Sequence, residues 1–348
     1  MTASELTGAE PTGSTLTGTG HAVAVAHPNI ALIKYWGKRD ERLVLPFTDS
    51  LSLTLDVFPT TTSVRLAPAA EADAVVMDGV PARDERLRRV TAFLDLVRDR
   101  AGRRERAVVD TRNTVPVGAG LASSASGFAA LALAAADAYG LPTEPRALSR
   151  LARRGSGSAA RSVFGGFVVW HAGPVDAPDP DVASYAEPVG DARLDAALVA
   201  VVLEAGPKSV SSREAMRRTV ATSPRYPEWV AASRAELVRM RQALRVGDLD
   251  TVGGIAERNA LGMHATMEAA SPPVRYLTDA SATALDTVRA LRAEGVGAWA
   301  TMDAGPNVKV LCAAADAERV AARMRAATHA RVVVARGGPG ATLRAEAG

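Results

Sequence analysis

Apolar positions along this chain recur with two different periods, and the switches between them mark out its elements. His21 to Ile33 is short and β-prone; Leu51-Ser-Leu-Thr-Leu-Asp-Val57 alternates with Ser52, Thr54 and Asp56 on one face, and Thr60 to Leu66 is again β-prone. Residues 84–101 change to a helical period through Leu87, Val90, Phe93, Leu94 and Val97, and Val108-Val109-Asp110 returns to strand. Gly127 to Gly140 then reads as a helix too apolar to lie on a surface. A helix near 143–154 and a strand at 166–170 follow. Residues 173–190, rich in Pro, Asp and Ala, read as the connection between two domains. Beyond them the pattern predicts a strand at 196–203 and helices near 227–245, 248–268 and 273–293. Strands at 298–302 and 307–312, a helix at 315–327 and a strand at 330–335 complete it. Strands and helices mix without strict βαβ alternation and without an internal repeat, so the expected class is α+β. The expected division is an N-terminal domain over 21–190 and a C-terminal domain over 191–348. The first twenty residues are mostly Thr, Gly, Ser and Glu, with neither a basic start nor an apolar stretch; they read as a disordered tail and not as a secretory signal.

Composition narrows the function. Apolar residues make up 47%, yet no run reaches the length of a membrane span. Basic residues number 41 against 38 acidic ones, and the basic cluster at 98–106 is interleaved with acids. With aromatics at 4% there is no stacking platform for nucleic acid, so neither nucleic acid nor membrane is an expected partner. A single cysteine, Cys312, excludes an internal disulfide and a cysteine metal cluster, and the expected location is cytoplasmic. The five histidines show no metal-ligand spacing, and no Ser-His-Asp signature is present. Only four lysines occur (34, 38, 208 and 309) in a chain whose positive charge is nearly all arginine. Each marks a place where a compact ammonium is wanted in preference to a planar guanidinium.

The most informative segment is Asn113-Thr-Val-Pro-Val-Gly-Ala-Gly-Leu-Ala-Ser-Ser-Ala-Ser126, which runs straight into the apolar helix. The first N–H groups of a helix lack internal partners and carry partial positive charge. Small residues let an anion come close, and Ser123, Ser124 and Ser126 add hydroxyl donors, so the segment reads as a phosphate cradle. It is not a Walker A loop, having no lysine after Gly118 or Gly120, and not a dinucleotide fingerprint, having serine at 123. Four more segments suit anions or acid–base work. Ala26 to Asp40 packs an amide, two lysines and a Tyr-Trp pair into a turn after a strand. Arg154 to Ser162 is a second Gly/Ser turn, in which Arg161 offers a planar fork. Lys208-Ser-Val-Ser-Ser-Arg213 sets three hydroxyls between two cations, and Thr301-Met-Asp-Ala-Gly-Pro-Asn307 puts an acid at a tight turn.

Together these segments resemble the diphosphomevalonate decarboxylase family of the GHMP kinase superfamily. The Pro116 to Ser126 loop looks like the superfamily's phosphate-binding motif, and Asn29-Ile-Ala-Leu-Ile-Lys-Tyr-Trp-Gly-Lys38 is specific to the decarboxylases. The segments 155–167, 210–216, 259–266 and 302–307 are similar to that family in its order, over about residues 21 to 340. The resemblance implies a two-domain GHMP-kinase-like fold with mixed sheets and helices, an ATP-binding N-terminal domain and an active-site cleft between the domains. It implies ATP and Mg²⁺ as cofactors, mevalonate 5-diphosphate as substrate, and a homodimer. Gly118, Gly120, Leu121, Ala122, Ser123, Ser124 and Ser126 would hold the ATP phosphates. Tyr35, Lys38, Ser212 and Arg213 would grip the diphosphate, with Ser156, Ser158 and Arg161 near the substrate carboxylate. Asp303 would orient the C3 hydroxyl and take its proton. The metal ligands and the role of Lys34 are left open. One departure concerns Asp49-Ser50, where many members read Asn-Ser: a carboxylate near a diphosphate would be repelled unless Lys34 or Lys38 neutralises it.

Overall fold

The computed structural model describes residues 18–114, 123–203 and 210–344. The β-prone run from 21 to 33 is split at His27-Pro28, because a proline lacks the N–H that a central ladder needs. Its first piece, His21–Ala26, pairs with Thr60–Ala67 in a six-stranded sheet; its second, Asn29–Ile33, crosses into another sheet beside Ser50–Thr54. The first sheet runs in the order Thr342–Arg344, His21–Ala26, Thr60–Ala67, Arg106–Asn113, Ala74–Met77, Val80–Pro81. Only the pairing of Ala74–Met77 with Arg106–Asn113 is parallel within it. The second sheet runs Ala186–Pro188, Phe167–Trp170, Ser50–Thr54, Asn29–Ile33, and a third Ala298–Met302, Val308–Ala313, Ala196–Val202, Arg331–Arg336.

The helix Ser123–Tyr139 lies on the first sheet against Thr60–Ala67 and His21–Ala26, buried on nearly every side. Its run of alanines is what lets helix and strands approach closely, as a helix apolar all round requires. Asp84–Ala101 packs beside it through Val90, Phe93, Leu94 and Val97, the residues its period singled out. Pro145–Gly155 starts at Glu144, whose carboxylate accepts the N–H groups of Arg146 and Ala147.

The two halves share apolar contacts. Ile30, Leu51, Leu53 and Phe167 from the second sheet meet Leu198 and Leu311 from the third, with Leu237, Met240 and Leu244 from the helix Tyr226–Val246. Two segments tie back across the chain. Within the stretch expected to be a loop, Ala186–Pro188 pairs with Phe167–Trp170, and Thr342–Arg344 returns to pair with His21–Ala26. The helix expected over 273–293 begins only at Asp279, where Thr278 and Ser281 form a capping box. None of the helices among the described residues is long and apolar enough to cross a membrane. The result is a two-domain α+β fold of mixed sheets and helices.

Candidate active site

A cleft of about 1220 Å³ opens beside the N-terminus of Ser123–Tyr139 and reaches inward to Asp303, room enough for a nucleotide and a small anion together. Its floor is set by the strand Asn29–Ile33. Directly after it, the Lys34 backbone N–H donates to Asn259 Oδ1 at 2.8 Å, which fixes the chain as it leaves the sheet. The Lys34 side chain, 1% exposed, reaches Asp303 Oδ1 at 2.8 Å, and Lys309 Nζ lies 3.2 Å from Oδ2. Burial alone would raise the Asp303 pKa, but the two ammonium groups outweigh it and hold the carboxyl well below the usual range. Burial brings Lys34 down to about 8, Asp303 opposing and Lys309 and Arg161 adding. Asp303 is the open member of this group, 32% exposed toward the cleft.

Arg161 is buried in the helix Ala159–Ser162 and donates from Nε to Asn29 Oδ1 at 3.2 Å and from a terminal nitrogen to Ser50 Oγ at 2.6 Å. Its guanidinium sits 5.9 Å from the Trp170 ring centre, and burial lowers its pKa to about 10. Tyr35 stacks edge-on against the same Trp170 at 4.8 Å. Its hydroxyl is buried, lines the cleft and has no hydrogen-bond partner among the described residues. Gly157 explains the close fit, since a Cβ there would lie 2.7 Å from the Tyr35 ring and 2.9 Å from Trp170. Gly37, at φ +87°, turns the chain between Trp36 and Lys38, and Tyr226 Oη donates to the Trp36 carbonyl at 2.7 Å to hold that turn.

Lys38, Ser156, Ser158, Ser212 and Arg213 also line the cleft. Both proposed diphosphate cations meet glutamates there: Lys38 pairs with Glu41 at 2.5 Å and Arg213 with Glu85 at 3.7 Å. Ser123 and Ser124 face the cleft from the helix N-terminus. Ser126 differs from expectation: it is fully buried and its hydroxyl lies 2.7 Å from Thr60 Oγ1, so it braces the helix against the sheet. Gly118, Gly120, Leu121 and Ala122 fall outside the described residues, as does Lys208. Beyond the serines, Met77, Val90, Val109, Phe128 and Leu131 make an apolar recess with Thr111 and Asn113 at its edge.

Asp49 resolves differently from the sequence-based expectation. Neither Lys34 nor Lys38 neutralises it; it pairs with His171 Nδ1 at 3.6 Å and accepts the Ala172 N–H at 2.7 Å. His171 Nε2 faces Glu187 at 3.0 Å, so one imidazole bridges two carboxylates. The sequence reading left Lys309, His264, Asn29, Ser50 and Asn259 without roles. His264 is buried, donates from Nε2 to the Asp303 carbonyl at 3.1 Å, and is kept neutral by burial, with its pKa lowered to about 4. Lysine scarcity was the signal that could have found Lys309. The others carried none, because their partners lie far away in the chain.

Among the described residues no group of three or more His, Cys, Asp or Glu could hold a metal ion. The donors that face the cleft instead suit a phosphate chain, and Mg²⁺ fits such a site through phosphate oxygens and water.

An α+β architecture with a cation-lined cleft at a helix N-terminus places the chain in the GHMP-kinase class, and comparison with known proteins is more specific. Residues 26–183 match the diphosphomevalonate decarboxylase-like N-terminal domain, and residues 197–336 the mevalonate 5-diphosphate decarboxylase C-terminal domain. The chain is 37% identical over 325 residues to diphosphomevalonate decarboxylase mvd1 of Aspergillus fumigatus, covering 88% of this chain and 80% of that protein. It superposes on mevalonate diphosphate decarboxylase from Enterococcus faecalis with a TM-score of 0.86 and 41% identity, over 93% of this chain and 98% of the other. A structure described as MDDEF in complex with MVAPP, AMPPCP and magnesium gives a TM-score of 0.87 at 42% identity, with the same coverage of 93% and 98%. The chain belongs to the diphosphomevalonate decarboxylase family.

Proposed function

We propose that this protein uses ATP to decarboxylate (R)-mevalonate 5-diphosphate, giving isopentenyl diphosphate, ADP, phosphate and carbon dioxide. The observation that carries the reading is Asp303, open to the cleft between two buried ammonium groups, in a chain whose relatives bear this activity. Residues 21–190 supply the nucleotide side together with Tyr35, Lys38, Ser156, Ser158 and Arg161 of the substrate side, and 191–348 supply Ser212, Arg213 and Asp303. Ser123, Ser124 and the helix N-terminus receive the ATP phosphates, with Gly118, Gly120, Leu121 and Ala122 preceding them in sequence. The apolar recess takes the base. Mg²⁺, when bound with the nucleotide, neutralises phosphate charge. Lys38, Arg213, Ser212 and the Tyr35 hydroxyl grip the diphosphate, which displaces Glu41 and Glu85 from the two cations.

A tertiary hydroxyl leaves poorly, so C3 is first phosphorylated. Asp303 accepts a hydrogen bond from that hydroxyl and points its oxygen at the γ-phosphorus. A carboxylate held by two ammonium groups is a weak base, so the proton moves late, once the new P–O bond has acidified the oxygen. Departure of the 3-phosphate builds positive charge at C3, and the neighbouring carboxylate leaves as carbon dioxide while its electrons form the double bond. Arg161, with Ser156 and Ser158, holds that carboxylate in line; the contribution is orientation, because a tight salt bridge would oppose its loss. A homodimer and a cytoplasmic location belong to the same proposal, and light scattering on the purified protein tests the first.

The test is release of ADP and carbon dioxide from ATP, Mg²⁺ and mevalonate 5-diphosphate, with the 5-monophosphate in parallel. Equal release with the diphosphate alone is expected. ADP without carbon dioxide would make the protein a 3-kinase, activity on the monophosphate would shift the substrate, and silence on both would reject an enzymatic role.

A further inference from the structure

Asp303 is held at both of its oxygens, and only one of the two holders lies in a segment the sequence motif singles out. Lys309 reaches Oδ2 from the strand Val308–Ala313, which pairs with Ala298–Met302 so that Thr301 lies opposite Lys309 and the tight turn carrying Asp303 closes between them. That turn is pinned from outside: Asn307 Oδ1 accepts the Leu203 N–H at 2.8 Å, and Ser281 Oγ donates to the Pro306 carbonyl at 2.7 Å. Lys309 is 2% exposed, so its ammonium does not wander into solvent. The carboxylate torsion of aspartate is broad and two-fold. One ammonium would leave that plane free to turn; two fix it.

We infer that Lys309 is a positioning residue for the proposed reaction: its ammonium fixes the second oxygen of Asp303 and shares that carboxylate's charge, leaving Lys34 with only part of a counter-ion. The charged and titratable groups around the pair come from four elements. Lys34 follows Asn29–Ile33, Lys309 lies on Val308–Ala313, Arg161 on Ala159–Ser162 and His264 on the helix Leu249–Glu268. Three of these are cations facing one carboxylate, and His264 is kept neutral. The proximity of Lys309 and Arg161 adds to burial in bringing Lys34 down to about 8. Removing Lys309 therefore does two things. It frees the Asp303 plane, and it returns the whole carboxylate to Lys34, which then holds its proton to higher pH.

The inference rests on the proposed activity, and the experiment separates the two. Steady-state turnover is measured across the Lys34 transition near 8, from about two pH units below it to about two above, for the wild type, Lys309→Met and Lys309→Arg. In Lys309→Met, kcat is expected to fall about 10–100-fold with little change in either KM, as for loss of orientation alone. The alkaline limb of kcat/KM, set by loss of the Lys34 proton that holds Asp303 Oδ1, should move up by about one pH unit, in keeping with loss of a neighbouring like charge. Lys309→Arg, which keeps the charge, should leave that limb in place. Unchanged kcat in Lys309→Met, or a lowered kcat with an unmoved limb, would overturn the inference. A readout independent of turnover is the titration of Lys34 Nζ by NMR, resolved from only three other lysines in the wild type. A midpoint near 8 is expected in the wild type and in Lys309→Arg, and a higher one in Lys309→Met. The same midpoint in all three would overturn the inference, whereas absent wild-type turnover with the midpoint raised only in Lys309→Met would reject the functional reading alone.

Discussion

Replacing Asp303 by Asn removes one negative charge and little volume, so its consequences follow from the charges left behind. Lys34 and Lys309, now 2.8 and 3.2 Å from a neutral amide, face each other with Arg161 nearby. Breaking a buried ion pair by removing one member costs about 3–5 kcal/mol when the remaining charge has no escape. Here it has one. Lys34 already titrates near 8 and loses its main attraction, so it deprotonates at neutral pH and much of the penalty disappears. Asp303 is also partly open to solvent. The expected loss is about 1–2 kcal/mol, a fall of a few degrees in Tm for a chain of this size. Turnover should suffer far more. An amide can still accept the hydroxyl hydrogen bond but cannot take the proton, and such groups contribute about 10²–10⁴-fold. The assay is kcat and KM from coupled ADP release with parallel carbon dioxide capture, alongside a thermal melt. A folded variant with kcat reduced about 10²-fold or more and KM for both substrates nearly unchanged is the expected result. A kcat within about threefold of wild type would remove Asp303 from the chemistry.

Other consequences are independent of this one. Arg161→Lys should lower kcat about 10–100-fold, because an ammonium cannot bond Asn29 and Ser50 at once while offering further N–H donors to a carboxylate; near-normal kinetics would refute the two-point role. Gly157→Ala should destabilise by about 1–3 kcal/mol and raise KM for the diphosphate, since the added methyl meets the Tyr35 ring; an unchanged Tm would show that the fit is looser than described. The Asp49 carboxylate beside it raises the His171 pKa, with burial opposing and Glu187 adding. The stability this lends is full below about pH 6.5 and is lost as the pH rises through the raised value. Melts of wild type and His171→Gln should therefore converge toward alkaline pH and separate in acid; parallel curves would count against the bridge.

What the sequence settles about this protein is local or carried by rare residues. The apolar helix after the serines, the Lys-Tyr-Trp-Gly-Lys turn, the Gly/Ser turn around Arg161 and the Asp-Ala-Gly-Pro turn were each legible, because side-chain size, backbone freedom and charge act within a few positions. Periodicity placed the helix Asp84–Ala101 and the strands of the third sheet for the same reason. It placed strand over 21 to 33 without showing that the two pieces belong to different sheets, and it misjudged the stretch 173–190, whose Ala186–Pro188 strand owes its form to the neighbour it pairs with. Partnership across the fold was out of reach. Lys34 meets an aspartate 269 positions away and Asn259 from a helix in the other half; Arg161 finds Ser50, and Asp49 finds His171 and not a lysine. A buried charge takes whichever counter-charge the packing brings within reach, and its acidity is set by that distance and by exclusion of water. Composition shows which charges a chain owns. Only the tertiary structure decides which of them face one another, and so which carboxylate the two lysines hold.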